Sequence, residues 1–507
     1  MDYIYLVAIV VTTFACASFF RLKISIVIFF IIAFAFWYIC NMFTGNGVTD
    51  AVYYHLKNNI HGTSVDDLLP KIIAGSVFIF VVIAVITASV KLRNKIPKRN
   101  AIFYNMLFVV FCTINITQSN AIPNILNSVK NLSYSNGFQA AKDYKNIEYK
   151  TTKNYNYVFI YAESLERTFR DIDGVNYTPN ITELANAYLD FTAIEQIPGM
   201  GWTMAGIVNT QCAVPLVLPQ GNAAGNMSEF LSGADCIASH LQNHGYVTEF
   251  IRGSDKEFAG GDKFFSQHGW QEQHDKNYFI NNKIANENQI SGWGVHDDVL
   301  MNHAYDEFIK LSSNNKNFLL SFLTVNTHPP SGTYLSSCDN KIQQGITNPM
   351  LRNVACSDYL ISQFINKIIA SEYFNNTIIV LTSDHYMMAN SASDALDNLK
   401  DKRRNNFIII KKDAKAKKIE KPGTLLDVWP TVLDASSATN TDFGFGRSLL
   451  KDENSSILNT YAKNKEINDY LGFSSRLWNY PSLNDKMEYH DGNVTIGKQQ
   501  YKLPLFG

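Results

Sequence analysis

At 507 residues the chain has room for a large core and more than one domain, its formal net charge is −1, and only 18% of it is charged, below the roughly 25% of ordinary soluble proteins. No basic stripe of the kind a nucleic-acid partner needs appears, and the seven cysteines show no CxxC or Cys/His zinc spacing. The deficit of charge falls on residues 1–117.

Within that stretch Ile4–Phe20, Ile24–Phe43, Ile72–Val90 and Ala101–Ile116 are each close to the roughly 20 apolar residues a spanning helix needs. No basic n-region precedes the first, and a second span follows almost at once, so four membrane helices are expected rather than a signal peptide. The links holding Arg21 and Lys23, and Lys91, Arg93, Lys95, Lys98 and Arg99, are the basic ones. Positive-inside reasoning places them in the cytoplasm and everything after about residue 117 outside the membrane. The cysteines agree. Cys16, Cys40 and Cys112 fall in expected spans; Cys212, Cys236, Cys338 and Cys356 fall in the outward part, where an even number suits two disulfides. Three pairings are open, and Cys212–Cys236 with Cys338–Cys356, the nearest-neighbour one, is expected.

Residues 118–150 are polar and aperiodic and read as a juxtamembrane linker. The segment Tyr157–Glu166, YVFIYAESLE, then runs from a short apolar stretch of buried-strand type directly into Glu163 and Ser164. Thr377–Thr382, TIIVLT, repeats the arrangement and ends in Ser383-Asp384-His385. Ligands of open α/β sheets bind beyond the carboxyl ends of strands, so Glu163, Asp384 and His385 are candidate metal ligands at one sheet edge. Either carboxylate alone is as readily a helix cap or a loop carboxylate; the pair is what points to a site.

Between them, Thr178–Leu189 reads as a helix with Thr178 as N-cap and Pro179 at its first position. Gly199-Met200-Gly201-Trp202-Thr203 follows, a glycine-flanked turn leading into a short helix over Met204–Asn209. Thr203 is as good an N-cap as it is a nucleophile; beside two strand-end carboxylates its hydroxyl can meet a metal and attack phosphorus. A strand over Val247–Arg252 delivers Arg252, whose guanidinium can grip a phosphate as readily as it makes a surface ion pair, with Asp255 on the polar loop that follows. Another over Asn317–Val325 delivers His328, placed to exchange a proton with a phosphoryl or leaving oxygen. A helix is expected over Cys356–Ile369 and a strand over Phe407–Ile410; His296-Asp297-Asp298 reads as structural. The chain after about residue 455 is polar and expected to be irregular. The organisation is therefore a four-helix membrane domain (1–117), the linker (118–150), an α/β catalytic domain (151–455) and a tail packed on or peripheral to it (456–507).

These residues carry a resemblance. A strand ending in Glu, a Thr in a glycine-flanked turn, a His after a strand and a late SDH resemble the alkaline phosphatase/sulfatase superfamily, as does TLLDVWPTVL. IYAESLERTF, GMGWTMAGIVNTQCAVPL, IRGSDKEFAGGDKFF and TSDHYMM are similar to the membrane-bound phosphoglycerol transferase I family, which decorates periplasmic glucans. The resemblance implies an N-terminal helical membrane domain followed by a sulfatase-like α/β/α sandwich. It implies Glu163, Thr203, Asp384 and His385 as ligands of one divalent metal, with Mn²⁺ favoured over Zn²⁺ or Mg²⁺. Thr203 becomes the nucleophile, His328 a contact of the transferred phosphate, and Arg252 and Asp255 part of the substrate loop. The implied reaction moves phosphoglycerol from phosphatidylglycerol to a glycan, by a monomer in the bacterial inner membrane with its catalytic domain in the periplasm. Phosphoethanolamine transfer and phosphodiester hydrolysis are the alternatives on the same fold. Sulfatase activity is disfavoured, because Thr203-Met204-Ala205-Gly206 lacks the C/S-x-P-x-R context from which a formylglycine is made.

Overall fold

The computed structural model describes residues 35–40, 69–92, 94–95, 102–103, 106, 137, 139–217, 229–314, 316–329, 332–451, 467–478, 487–490, 493–496 and 499–502. Helix α1, Leu69–Leu92, contains the third expected span. Its 24 residues reach about 36 Å, more than a bilayer core of roughly 30 Å. Ile72–Leu92 has a mean hydropathy of 2.6 with 11% of its central window buried, so its apolar side chains face outward. The first span, and all but fragments of the second and fourth, lie outside the described residues.

The rest is built on an eight-stranded mixed sheet. Its strands are β1 (Asn156–Ala162), β2 (Leu189–Phe191), β3 (Val247–Arg252), β4 (Glu272–His274), β5 (Phe318–Leu323), β6 (Thr377–Ser383), β7 (Phe407–Lys411) and β8 (Lys417–Ile419). Across the sheet the order is β8-β2-β7-β6-β1-β5-β3-β4. From β6 to β4 all neighbours are parallel, and β7 runs antiparallel to both β6 and β2. The central strands are buried along their whole length, which is why they read as unbroken apolar runs rather than alternating ones. Their alternation survives in three dimensions: Tyr157, Phe159 and Tyr161 enter one core, Val158, Ile160 and Ala162 the other.

Helices α2 (Pro179–Ala187), α3 (Thr203–Cys212), α4 (Ile237–Asn243), α5 (Asp297–Ser312), α6 (Pro349–Ile369) and α7 (Val428–Ala435) cover the two faces. On one side lie α3, α4 and α7, with Trp429 stacked on Phe159 at 5.3 Å; on the other lie α2, α5 and α6. The result is the α/β/α sandwich of the sulfatase and alkaline phosphatase type. Both cysteine pairs are bridged, Cys212–Cys236 tying the end of α3 to the start of α4 and Cys338–Cys356 tying a loop to α6.

Four expectations are modified. Thr178 stands at the N-cap of α2, but its side chain makes no capping bond; Asp358 of α6 instead accepts from the N–H groups of Asn180 and Ile181. Helix α6 starts at Pro349, seven residues ahead of Cys356, with Asn348 as the cap. Part of the expected linker belongs to the domain: Ala140 is buried, and the backbone of Lys145 and Lys150 bridges to Gly444 and Thr439. The described part of the tail is regular. Ile467–Arg476 is a helix whose Tyr470 and Asp469 bond to Asp143 and Ala140, and three short antiparallel strands follow between Met487 and Lys502.

Candidate active site

Strand register brings distant parts of the chain together. Ala162 pairs with Ser383 and Tyr161 with Leu323, so β1, β6 and β5 end level. The next residues, Glu163, Asp384 and Thr324, therefore share the carboxyl edge of the sheet. Glu163, Asp384 and His385 are all buried there. Backbone groups fix each of them. The Glu163 N–H donates to Thr324 Oγ1 at 2.9 Å, and Thr327 Oγ1 donates to the Glu163 carbonyl. Asp384 Oδ1 accepts from the N–H groups of Ser164 at 2.8 Å and His385 at 2.9 Å. Ser164 does this from a left-handed backbone, φ 54°, an unusual conformation for a residue with a side chain, and its hydroxyl donates to Glu163 Oε1 at 2.8 Å.

With Oδ1 so occupied, Asp384 Oδ2 has no hydrogen-bond partner, and neither has His385 Nε2, although the two lie 3.3 Å apart. His385 Nδ1 is 2.7 Å from the Tyr386 carbonyl, which can only accept, so Nδ1 carries a proton and Nε2 presents its lone pair. Glu163 Oε1 is 3.5 Å from that nitrogen, and Thr203 Oγ1 donates to Glu163 Oε2 at 3.4 Å. Two carboxylates, an imidazole and a hydroxyl thus converge, and leaving such atoms buried and unpaired costs free energy unless a cation joins them. The chain's donor set fits a divalent metal. Burial, and then the neighbouring Glu163, push the Asp384 carboxyl up to about 8. Burial works against the His385 imidazolium, but Asp384 and Glu163 hold its pKa above the usual value.

A pH dependence follows. A ligand must shed its proton to bind metal, so below pH 8 the Asp384 proton competes with the cation. Apparent metal affinity is expected to fall roughly fivefold from pH 8 to 7, approaching tenfold per unit below that, and more steeply once His385 also protonates. Calorimetric titrations in buffers of different ionisation enthalpy check this through proton release; affinity unchanged between pH 8 and 6 would refute it.

Thr203 opens α3, with Trp202 as the extended N-cap residue. The first free N–H groups of the helix lie beside it, where negative charge is favoured. Gly206, one turn on, lies against the Asp384 backbone: a Cβ there would stand 1.9 Å from the Asp384 carbonyl oxygen. Tyr161 of β1 donates to or accepts from Thr210 at 2.6 Å and accepts from Gln211 Nε2 at 2.7 Å, locking the helix on its strand.

Around this centre the other expected residues divide. His328 follows β5, half-buried, with its ring against Trp293 at 4.0 Å. Its Nδ1, 2.6 Å from the Pro329 carbonyl, also carries a proton. Arg252, buried at the end of β3, donates Nε–H to Ser254 Oγ at 2.9 Å while Nη1 has no partner. Burial lowers its pKa to about 10, against the pull of Asp255, Asp275 and Glu163. An incompletely bonded, buried guanidinium is suited to an anion. Asp255 is engaged by its own loop, Oδ1 accepting from Glu257 N–H and Oδ2 from Asn277.

Several supporting groups carried no signal in the sequence. Glu166, fully buried, accepts from Arg403, from Met387 N–H at 3.0 Å and from Thr168 at 2.7 Å, pinning the segment after His385 to the segment after Glu163. Asn406 and Ser383 bond to each other and both to the Leu165 carbonyl. Asp297 at the start of α5 accepts from the N–H groups of Val325 and Asn326, holding the His328 loop.

Strand-end acids beneath a helix that presents a threonine mark a candidate active site on a sulfatase-like fold, and the sulfatase family model matches residues 155–438. A second model, described as the N-terminal domain of phosphoglycerol transferase I, matches residues 2–133. The chain is 32% identical over 501 residues to phosphoglycerol transferase I of Xanthomonas campestris pv. campestris, covering 96% of this chain and 70% of that one. With the protein of the same name from Salmonella paratyphi B it shares 33% over 480 residues, 92% of this chain and 62% of that one. Among solved structures, an alkaline phosphatase superfamily protein from Vibrio parahaemolyticus aligns at a TM-score of 0.48 and 21% identity, over 69% of this chain and 79% of that one. The chain belongs to the phosphoglycerol transferase I family, phosphotransferases on a sulfatase-like fold.

Proposed function

We propose that this chain transfers phosphoglycerol from phosphatidylglycerol to a glycan hydroxyl through a covalent intermediate on Thr203. The observation that carries the reading is the threonine hydroxyl held 3.4 Å from Glu163, beside the unpaired Asp384 and His385 atoms, at the N-terminus of a buried helix. Glu163, Thr203, Asp384 and His385 would hold the metal, Mn²⁺ in our reading, which when bound acidifies the hydroxyl and neutralises phosphodiester charge. Thr203 Oγ then forms a bond to phosphorus as the bond to diacylglycerol breaks, and its proton leaves through Glu163. His328 Nε2, protonated, supplies the proton for the departing diacylglycerol oxygen. In the second half the same nitrogen accepts the proton of the incoming sugar hydroxyl. A bond from that oxygen to phosphorus forms, the Thr203 ester breaks, and the threonine regains its proton. Arg252 Nη1 is the group we assign to the non-reacting phosphoryl oxygens. The outward apolar face of α1 supports a membrane-anchored chain, and we place the catalytic domain on the periplasmic side, where its disulfides are stable.

Purified protein given Mn²⁺ and phosphatidylglycerol without acceptor is expected to gain the mass of one glycerophosphoryl group, on the peptide containing Thr203. An adduct formed only from phosphatidylethanolamine would replace the headgroup assignment. Neither adduct nor diacylglycerol from either lipid would overturn the reading.

A further inference from the structure

A second group of metal-type ligands lies away from the active site, between the outer edge of the sheet and α5. Glu249 projects from β3, His274 ends β4 in register with Ile251, and His303 and Glu307 sit one turn apart on α5. All four are buried, at 2%, 4%, 8% and 7% exposure. One nitrogen of His274, Nδ1, is 3.0 Å from His303 Nε2 and 3.2 Å from Glu249 Oε1. Ligating atoms of His274, His303 and Glu307 all lie within 4.8 Å of one another.

Protons alone satisfy this cluster badly. The two ring nitrogens at 3.0 Å can satisfy each other through one shared proton, which leaves none on that edge for Glu249. Glu249 Oε1, almost wholly buried, has no hydrogen-bond partner despite its nearness to His274. Glu307 meets Lys310 through its outer oxygen at 2.6 Å. The 3.0 and 3.2 Å separations are close to the ~3.3 Å edge of a tetrahedron whose centre is ~2.05 Å from each ligand atom, the spacing zinc takes with nitrogen and oxygen. The Tyr278 ring, stacked on His274 at 3.7 Å, and Phe279, edge-on to His303 at 4.9 Å, seal the position from solvent.

We propose that His274, His303, Glu307 and Glu249 form a second, structural metal site that takes Zn²⁺. His274, His303 and Glu307 supply three ligands within reach of one another, and Glu249, 3.2 Å from His274, is the group we assign to the fourth position, which would close the site to water and substrate. Its effect is mechanical. It fastens α5 to β3 and β4, and α5 carries Asp297, which holds the backbone ahead of His328.

The test is metal content of the full-length protein in detergent, stripped with chelator, reloaded with Zn²⁺ and desalted. Asp384→Asn removes an anionic ligand, unlike loss of the neutral Thr203 hydroxyl, and should let the active site empty on desalting, so that about one equivalent of zinc remains per chain. Adding His303→Gln should remove it, and X-ray absorption on Asp384→Asn should show two imidazole ligands. Should His303→Gln fail to fold, Glu307→Gln carries the same test, since its outer oxygen can still meet Lys310. Zinc that is absent from Asp384→Asn, or that survives both second-site changes, overturns the proposal.

Discussion

Thr203→Ala is expected to abolish transfer while leaving metal and fold in place. Removing the hydroxyl removes the attacking atom, and loss of a nucleophile typically costs a factor of ~10³ or more, about 4 kcal/mol in the barrier. The structural cost is small: Thr203 is 7% exposed, and truncation deletes one buried methyl, worth roughly 1 kcal/mol. Glu163, Asp384 and His385 remain, so the variant should still bind about one equivalent at this site, more weakly by the loss of one ligand. Thr203→Ser keeps the oxygen and should retain activity within about tenfold, because a missing methyl removes packing and not chemistry. Diacylglycerol release from phosphatidylglycerol, measured beside intact mass, separates the cases. Wild-type release by Thr203→Ala would remove the threonine from the mechanism.

Gly206→Ala should be nearly as damaging, for a reason that has no chemistry in it. The added Cβ would stand 1.9 Å from the Asp384 carbonyl oxygen, 2.7 Å from its carbon and 3.1 Å from its Cα. These are backbone atoms at the end of a fully buried strand, so no flexible side chain can yield. Relief requires α3 and the Asp384 segment to separate by more than about 1 Å, and a displacement of that size at reacting groups costs on the order of 10²-fold. Overpacking adds about 1–3 kcal/mol of destabilisation. The expected signature is a joint one: activity, metal affinity and melting temperature all fall, whereas Thr203→Ala affects mainly the first. A Gly206→Ala protein with full activity would mean that the helix and the strand end move independently.

The contrast shows how much was legible beforehand. Glu163, Asp384 and His385 could be found because each lies within three residues of the end of an unbroken apolar run, and a buried central strand leaves that trace in sequence. Thr203 could be found because glycines precede it and a helix follows. That these groups meet depends on β1 lying between β6 and β5, a pairing between segments far apart in the chain, which no local pattern encodes. The supporting groups were hidden for the same reason: Ser164, Thr324, Glu166 and Arg403 are ordinary polar residues until the fold apposes them. Thr178 misled because a cap signal states only that a helix begins, and the capping oxygens came from Asp358, 177 residues away. The tail misled because Tyr470 and Leu471 are buried among mostly polar neighbours, too few to make a visible period.

The bond from Ser164 N–H to Asp384 Oδ1 spans 220 residues and joins the two halves of the metal centre. During synthesis the first half therefore waits, open and inert, until nearly the whole domain has been made. On the mechanism proposed above, a chain cut short before Asp384 lacks two of the four metal-binding groups and could neither load the metal nor attack a lipid.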